Sequence, residues 1–554
     1  MDRQTTNDSD NRGFARGVAL AEGATARPSL PAHVELPNVD ENRSRIGQLG
    51  WPSAQQWHRF VLFVVLLFFY AYFFPRWADW NQNSRFDLVL ALVEDRSVAI
   101  DRYVANTGDY AFHNGHYYSD KAPGLALLGA PVYGAFRLIV PAAAIAHLET
   151  AGRNEALQAT LREDGTGLQS DRVYYFAALS ATTLLTVAVP SAILGVVFYE
   201  MLRRFGCSVR QGLMATAAYT LGTNAFPYAN TFVGHQLSAF LLFAAFALLF
   251  AIRRRKLGRY WLMAAGFLLG YAAVTEYPAV LIGVLLALYA VLSIRRLSHT
   301  AALLAAGAAP PLLALGVYNL AAFGTPLPVG YMHSTLWAEV HQTGFISLTY
   351  PRGDALWGLT FGVHRGLFFL SPFLLFAMPG YFALWQDSHR RQEFWVLLLA
   401  PLSFLLFNAS SAMWQGGFAV GPRYLLPSLP FLALAAAIGV DRTWHHLIFR
   451  AAAIVAGIWS FSAVWAETIA GQAFPDYTPN PLFDLSLPAL ASGDIARNVG
   501  MLLGLSGWAS LAPLALAGLT ATGLAIITSR AEAVCGRRRQ RTAGPGAGVI
   551  HDDH

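Results

Sequence analysis

Between Phe60 and Thr528 the chain is cut into long apolar runs separated by short polar loops. A helix needs about 20 apolar residues to cross the hydrocarbon core of a bilayer and satisfies its own backbone while doing so. Such a chain can fold only as an all-α polytopic membrane bundle. The composition agrees: 55% of the 554 residues are hydrophobic and only 13% charged, with a mean hydropathy of +0.40, which excludes an ordinary soluble domain.

The first span is expected from Phe60 to Phe74, closed by Pro75, Arg76 and Trp77 at the interface. Further spans are expected near 173–200, 211–226, 237–252, 260–274, 278–293, 301–322, 368–386, 394–409, 428–440, 451–467 and 509–528. The segments around Arg203, Arg253 to Lys256, Arg295, Arg296, Arg391 and Arg442 fall on one side, and the excess of arginine makes that side the cytoplasm. Residues 1–56 read as a disordered cytoplasmic tail and 530–554 as a basic cytoplasmic tail, which leaves 57–529 as the membrane domain. With both termini inside, the stretch from Ala122 to Leu148 must cross twice or not at all. Twelve to fourteen crossings are therefore expected, in an inner or plasma membrane.

Chemistry is concentrated on the other side. The loop 76–121 opens with an expected amphipathic surface helix over 86–98. It continues as DRYVANTGDYAFHNGHYYSDKAPG from Asp101 to Gly124, holding Asp101, Asp109, Asp120, Lys121, His113, His116, Tyr117 and Tyr118. Ionisable groups gathered between spans are costly and mark a site. Glu276, at the boundary of two spans, is a candidate by the same cost, although a Glu there can also reach the headgroups. In MWQGGFAVGPRYLLP, Arg423 can grip a phosphate through two parallel hydrogen bonds, with Trp414 and Tyr424 beside it and glycines that permit close approach. Arg365 makes a weaker version of that case, and His235 begins a span on the same side.

The histidine spacing matches no zinc signature, and neither a Walker A nor a Rossmann glycine pattern occurs. The two cysteines lie beside arginines, so no disulfide framework is read. The net charge of +6 fits the positive-inside bias, and no nucleic-acid partner or cofactor is expected.

The segment GDYAFHNGHYYSDKAPGLALL resembles the first loop of the GT-C superfamily of integral membrane glycosyltransferases, in particular its O-mannosyltransferase, aminoarabinose transferase and Rgt-like branch. Asp109, Asn114, Gly115, Tyr117, Tyr118, Asp120, Lys121 and Pro123 carry the resemblance, and GPRYLLP and FGTPLPVGY are similar to loops of bacterial relatives. The Asp-Glu pair of that family shortly after its first span has no counterpart, since the stretch here reads Trp80, Asn81, Gln82, Asn83, Ser84, Arg85 between Asp79 and Asp87.

The resemblance implies a bundle of about 12 to 14 helices with an external active site. It implies transfer of a sugar from a polyprenyl-phosphate-linked donor to a lipid, glycan or protein acceptor, with inversion. Asp101, Asp109 or Asp120 would be the general base. Lys121, Arg423 and Arg365 would hold the donor phosphate, and Tyr117, Tyr118, His116, His235, Glu276, Trp414 and Tyr424 would bind substrate.

Two other readings compete. A transporter or flippase of a lipid-linked saccharide would place ionisable groups near the midplane and show repeats, whereas here they cluster at one edge. A polysaccharide polymerase or ligase would concentrate arginines in its last large external loop, where Ala470 to Gly507 has only Arg497.

Overall fold

The computed structural model describes residues 54–75, 79–141, 143, 172–294, 297–341, 343–344, 347–471 and 474–524. The two tails lie outside these residues, except that 54–56 belong to the first helix. The helices are α1 (Ala54–Tyr72), α2 (Trp80–Leu90), α3 (Gly124–Ile139), α4 (Val173–Arg204), α5 (Val209–Leu221), α6 (Gly234–Arg253), α7 (Trp261–Thr275), α8 (Val280–Ser293) and α9 (Leu297–Phe323). They continue as α10 (Ala377–Gln386), α11 (Ser388–Ala409), α12 (Arg423–Thr443), α13 (Leu447–Ala470) and α14 (Gly507–Leu524). Strands β1 (Tyr110–His113) and β2 (His116–Ser119) form one antiparallel hairpin.

Among the described residues seven helices are long and apolar enough to cross a membrane: α4, α6, α9, α11, α12, α13 and α14. Five further apolar helices are shorter. The chain is a multi-pass membrane protein with an all-α bundle. Because α6 and α12 are 78% and 83% buried along their most apolar windows, they form its centre; α13 and α14, at 17% and 11%, form its lipid-facing edge.

Two expectations are corrected, and a third falls partly outside the described residues. Of the segment 86–98 read as a surface amphipathic helix, 86–90 are the end of α2, in which every residue from Gln82 to Leu90 is buried, while 91–95 make a separate turn where Asp95 and Arg96 are exposed. The polar side chains of α2 point at partners inside the protein. The expected span 368–386 is broken at Ser371 and Pro372, where a tight turn separates Leu367–Leu370 from α10. In the stretch from Ala122, one helix ends at Ile139, while 144–148 lie outside the described residues.

Candidate functional site

Three chain segments meet at the polar end of the central helices. The hairpin turns on Asn114 and Gly115, both at positive φ, as a two-residue Asn-Gly loop requires. It delivers Asp120 and Lys121 to the start of α3. There Gly124 lies so close to the backbone of Thr275 and Val274 that a Cβ would collide with it, and Gly234 at the start of α6 lies as tightly against Thr275 and Glu276. These two approaches bring Lys121, Glu276 and His235 together.

Lys121 is the hub. Its Nζ lies 2.8 Å from Asp109 Oδ2 and 3.1 Å from Asp120 Oδ1, and all three side chains are buried. Asp109 also accepts from Trp337 Nε1 at 3.1 Å, and Asp120 from Ser334 Oγ at 3.0 Å. Burial pushes Asp109 up, but the Lys121 ammonium and the Trp337 hydrogen bond outweigh it and hold the carboxyl below the ordinary range. Asp120, buried and facing the Asp109 charge, is pushed up to about 6. Burial lowers Lys121, yet the two carboxylates prevail and keep it an ammonium.

A second ion pair lies alongside. Arg85 Nη2 donates to Glu276 Oε1 at 2.8 Å, Nη1 to the Ala122 carbonyl at 3.2 Å and Nε to Asn81 at 3.3 Å. His235 Nδ1 is 3.5 Å from the same Glu276 oxygen, and its Nε2 is buried without a partner. Removing either Arg85 or Glu276, by Arg85→Leu or Glu276→Leu, strands a buried charge. Each single exchange is expected to cost about 3–5 kcal/mol, and the double exchange less than their sum. Thermal unfolding of the four proteins in detergent checks this, and strictly additive losses would show that the two charges do not depend on each other.

These groups open onto a cavity of about 390 Å³. Lys121, Arg85, Glu276 and His235 line one part of it, and the rings of Trp337, Tyr331, Tyr277 and Tyr424 line another. His341 adds a second imidazole whose Nε2 is unpartnered; Ser347 Oγ sits 2.7 Å from its Nδ1, and burial with the nearby Lys121 charge lowers its pKa. The remaining wall is mainly apolar, with Phe404, Phe407, Val280 and Leu281, and Asn408 and Ser411 add polar groups to it. Val280 and Leu281 are also exposed on the outer surface of α8, at 48% and 38%, so the cavity reaches the face that meets lipid.

Of the residues singled out from sequence, Lys121, His235, Glu276 and Tyr424 line this cavity. Asp109 and Asp120 stand behind Lys121. Arg423 is buried behind Tyr424, its guanidinium 5.2 Å from that ring, and its Nε has no hydrogen-bond partner. Asp101 and His116 pair with each other at 2.7 Å on the exposed side of the hairpin, where Asp101 also accepts from the Tyr117 amide. They brace the loop. Tyr117 and Tyr118 pack within the hairpin region, and Trp414 against Gly358, away from the cavity.

Arg365 has a different task from the one its charge suggested. Only 1% exposed, it donates to the carbonyls of Gln415, Gly417, Ala419, Phe474 and Pro475. Gly416, Gly417 and Gly421 all take positive φ, so the glycines that seemed to invite a phosphate let the loop wrap around Arg365. Sequence reasoning missed Arg85, Trp337, Tyr331 and His341. The internal polar helix beginning Trp80 was the available signal for Arg85; nothing local marked the other three.

Among the described residues no group of three or more His, Cys, Asp or Glu side chains is placed to hold a metal ion. Fold and site together define a polytopic α-helical membrane protein with a buried ion cluster opening into a part-polar, part-apolar cavity. No family model matches the chain, and no curated protein matches it. Among solved structures it is similar to ArnT from Cupriavidus metallidurans in the apo state, with a TM-score of 0.44 and 15% identity over 74% of this chain and 64% of that one. It is also similar to the same protein bound to undecaprenyl phosphate, with a TM-score of 0.43 and 12% identity over 74% and 70%. The alignment thus spans less than two thirds of the apo ArnT chain.

Proposed function

We propose that the protein is a membrane glycosyltransferase that takes a sugar from a polyprenyl-phosphate-linked donor at the external face and passes it to a hydroxyl or amine acceptor with inversion. The observation that carries this reading is the cavity itself, which joins a buried Lys121 to the lipid-exposed wall of α8. A donor with its tail in the bilayer needs both ends of such a cavity at once. The apolar wall of Val280, Leu281 and Phe407 suits the first isoprene units, and Lys121 and Arg85 suit the phosphate. The rings of Trp337, Tyr331 and Tyr424 offer faces for a sugar, and His235 and His341 offer polar nitrogens for its hydroxyls.

The chemistry balances within the cluster. As the acceptor hydroxyl attacks the anomeric carbon, the bond to the donor phosphate breaks and a phosphodiester monoanion becomes a phosphomonoester dianion. Asp120 stands behind Lys121, so the acceptor's proton reaches it by way of the Lys121 ammonium, which hands a proton to Asp120 as it takes the acceptor's. Asp120 loses one negative charge as the phosphate gains one. Lys121, anchored by Asp109, meets the new charge without moving. Asp120 is the carboxylate of choice because it contacts Lys121 Nζ at 3.1 Å and burial with the Asp109 charge raises its pKa to about 6, towards the range of a proton acceptor. Asp101 is the poorer choice because it is solvated and paired with His116.

The test is transfer by the detergent-purified protein from a panel of polyprenyl-phosphate sugars, comparing wild type with Asp101→Asn, Asp109→Asn and Asp120→Asn. One donor is expected to be consumed. Asp120→Asn should lower turnover at least about 100-fold without loss of donor binding, while Asp101→Asn stays near wild type. If no donor is bound or cleaved, the transferase reading fails, and saccharide-lipid transport in proteoliposomes becomes the next assay.

A further inference from the structure

At the far end of α6 from His235, roughly 30 Å away along the helix axis, lies a second cavity of about 460 Å³ that the transferase reading does not use. The geometry points to a binding site for the phosphate of an anionic phospholipid headgroup. Arg253, Arg255, Arg259 and His299 line it, with the hydroxyl residues Ser293 and Thr300, and among the described residues no Asp or Glu does. Arg253 is committed elsewhere, to Glu393 and the His389 carbonyl. Arg255 and Arg259 bring two further positive charges to the cavity.

Three observations favour a lipid phosphate as the occupant. First, Tyr260 and Trp261, immediately after Arg259, are 76% and 50% exposed, as aromatic residues are at headgroup level. The cavity therefore lies where phospholipid phosphates are. Second, Ile252, Leu257, Leu262 and Ile294 complete its lining, giving the glycerol end of a lipid an apolar surface beneath the cations. Third, Arg255 holds φ at 54° in the turn after α6, where its amide donates to the Ile252 carbonyl and that of Lys256 to Ala251. A glycine would take that conformation without strain. The residue there is an arginine, and its side chain lines the cavity. The packing of Gly266 on Leu304 and Gly307 on Met263 fixes α7 and α9 side by side, so Arg259 and His299 keep their separation. Basic pockets between spans at the cytoplasmic interface are the usual receptors for acidic headgroups.

The test uses the full-length protein and reads bound lipid by native mass spectrometry and unfolding temperature in nanodiscs. Phosphatidylglycerol discs are compared with phosphatidylcholine discs, and inorganic phosphate is added to the latter. Phosphatidylglycerol is expected to stay bound and raise the unfolding temperature, with phosphatidylcholine and inorganic phosphate having little effect. Arg255→Gly and Arg259→Gln should each weaken retention of phosphatidylglycerol about ten-fold, the loss expected for one charge-assisted contact. Arg255→Gly relieves the backbone at that position, so its unfolding temperature in phosphatidylcholine should not fall. Equal retention of both lipids, or unchanged retention in the two variants, would overturn the site. A full effect from inorganic phosphate alone would overturn its assignment to a lipid.

Discussion

Lys121→Met is expected to leave sugar transfer at least about 100- to 1,000-fold below wild type and to destabilise the protein by about 3–5 kcal/mol. Both effects follow from one geometry. Lys121 Nζ stands between Asp109 at 2.8 Å and Asp120 at 3.1 Å, and none of the three side chains is more than 7% exposed. Without the ammonium, two carboxylates remain together in a buried place, and at least one must take a proton for the fold to persist. The loss of activity has another origin, because the cavity then presents one cation fewer to a leaving phosphate. A protein carrying Lys121→Met with Asp109→Asn and Asp120→Asn separates the two. It is expected to recover most of the stability and none of the turnover. Wild-type stability in Lys121→Met alone would show that the ion cluster does not hold the loop, and activity in the triple variant would remove Lys121 from the phosphate.

How much of this was legible depended on the range of the interaction involved. The spans were legible because the hydrocarbon core imposes their length and composition, and α6, α7, α8 and α9 fall within a few residues of their expected bounds. The break at Ser371 and Pro372 carried its own warning, since proline after a residue forced out of helical geometry ends a helix. The hairpin was also signalled, by Asn114-Gly115 between aromatic residues. Lys121 with its aspartates stood out because ionisable groups between spans need a reason to be there.

What could not be read was who meets whom across the chain. Arg85 and Glu276 are 191 positions apart, and in isolation the helix of Arg85 has the pattern of one lying on a membrane. Arg365 and Arg423 look alike in sequence. Yet one is held by five carbonyls and the other lies beside a tyrosine ring with its Nε unpartnered. Charge type announces that a partner is needed and leaves open whether the partner is the protein's own backbone or a substrate.

The pH dependence of turnover offers the sharpest test of which carboxylate receives the proton. With Asp120 as the base, kcat should fall on the acid side with a midpoint near pH 6, because burial and then the Asp109 charge raise its pKa to about 6 against the pull of Lys121. Asp109→Asn removes the neighbouring negative charge, so Asp120 should ionise more readily and the acid limb should move to lower pH. Asp120→Asn should leave a low, flat profile. The two carboxylates titrate as a pair, and the limb belongs to the pair in the wild type; the shift in Asp109→Asn is what assigns it.

Stability must follow with matching signs. Asp120 binds its proton more tightly in the folded protein than in the unfolded chain, so its contribution is present in full below the unfolded pKa of about 3.9 and is lost as pH rises through about 6. Asp109 is held low, so its contribution is present above the unfolded pKa and is lost as pH falls below it. Asp120→Asn should therefore flatten the decline in unfolding temperature between about pH 4 and 6 while leaving the acid-side loss in place. An acid limb that stays near pH 6 in Asp109→Asn would take the proton away from Asp120.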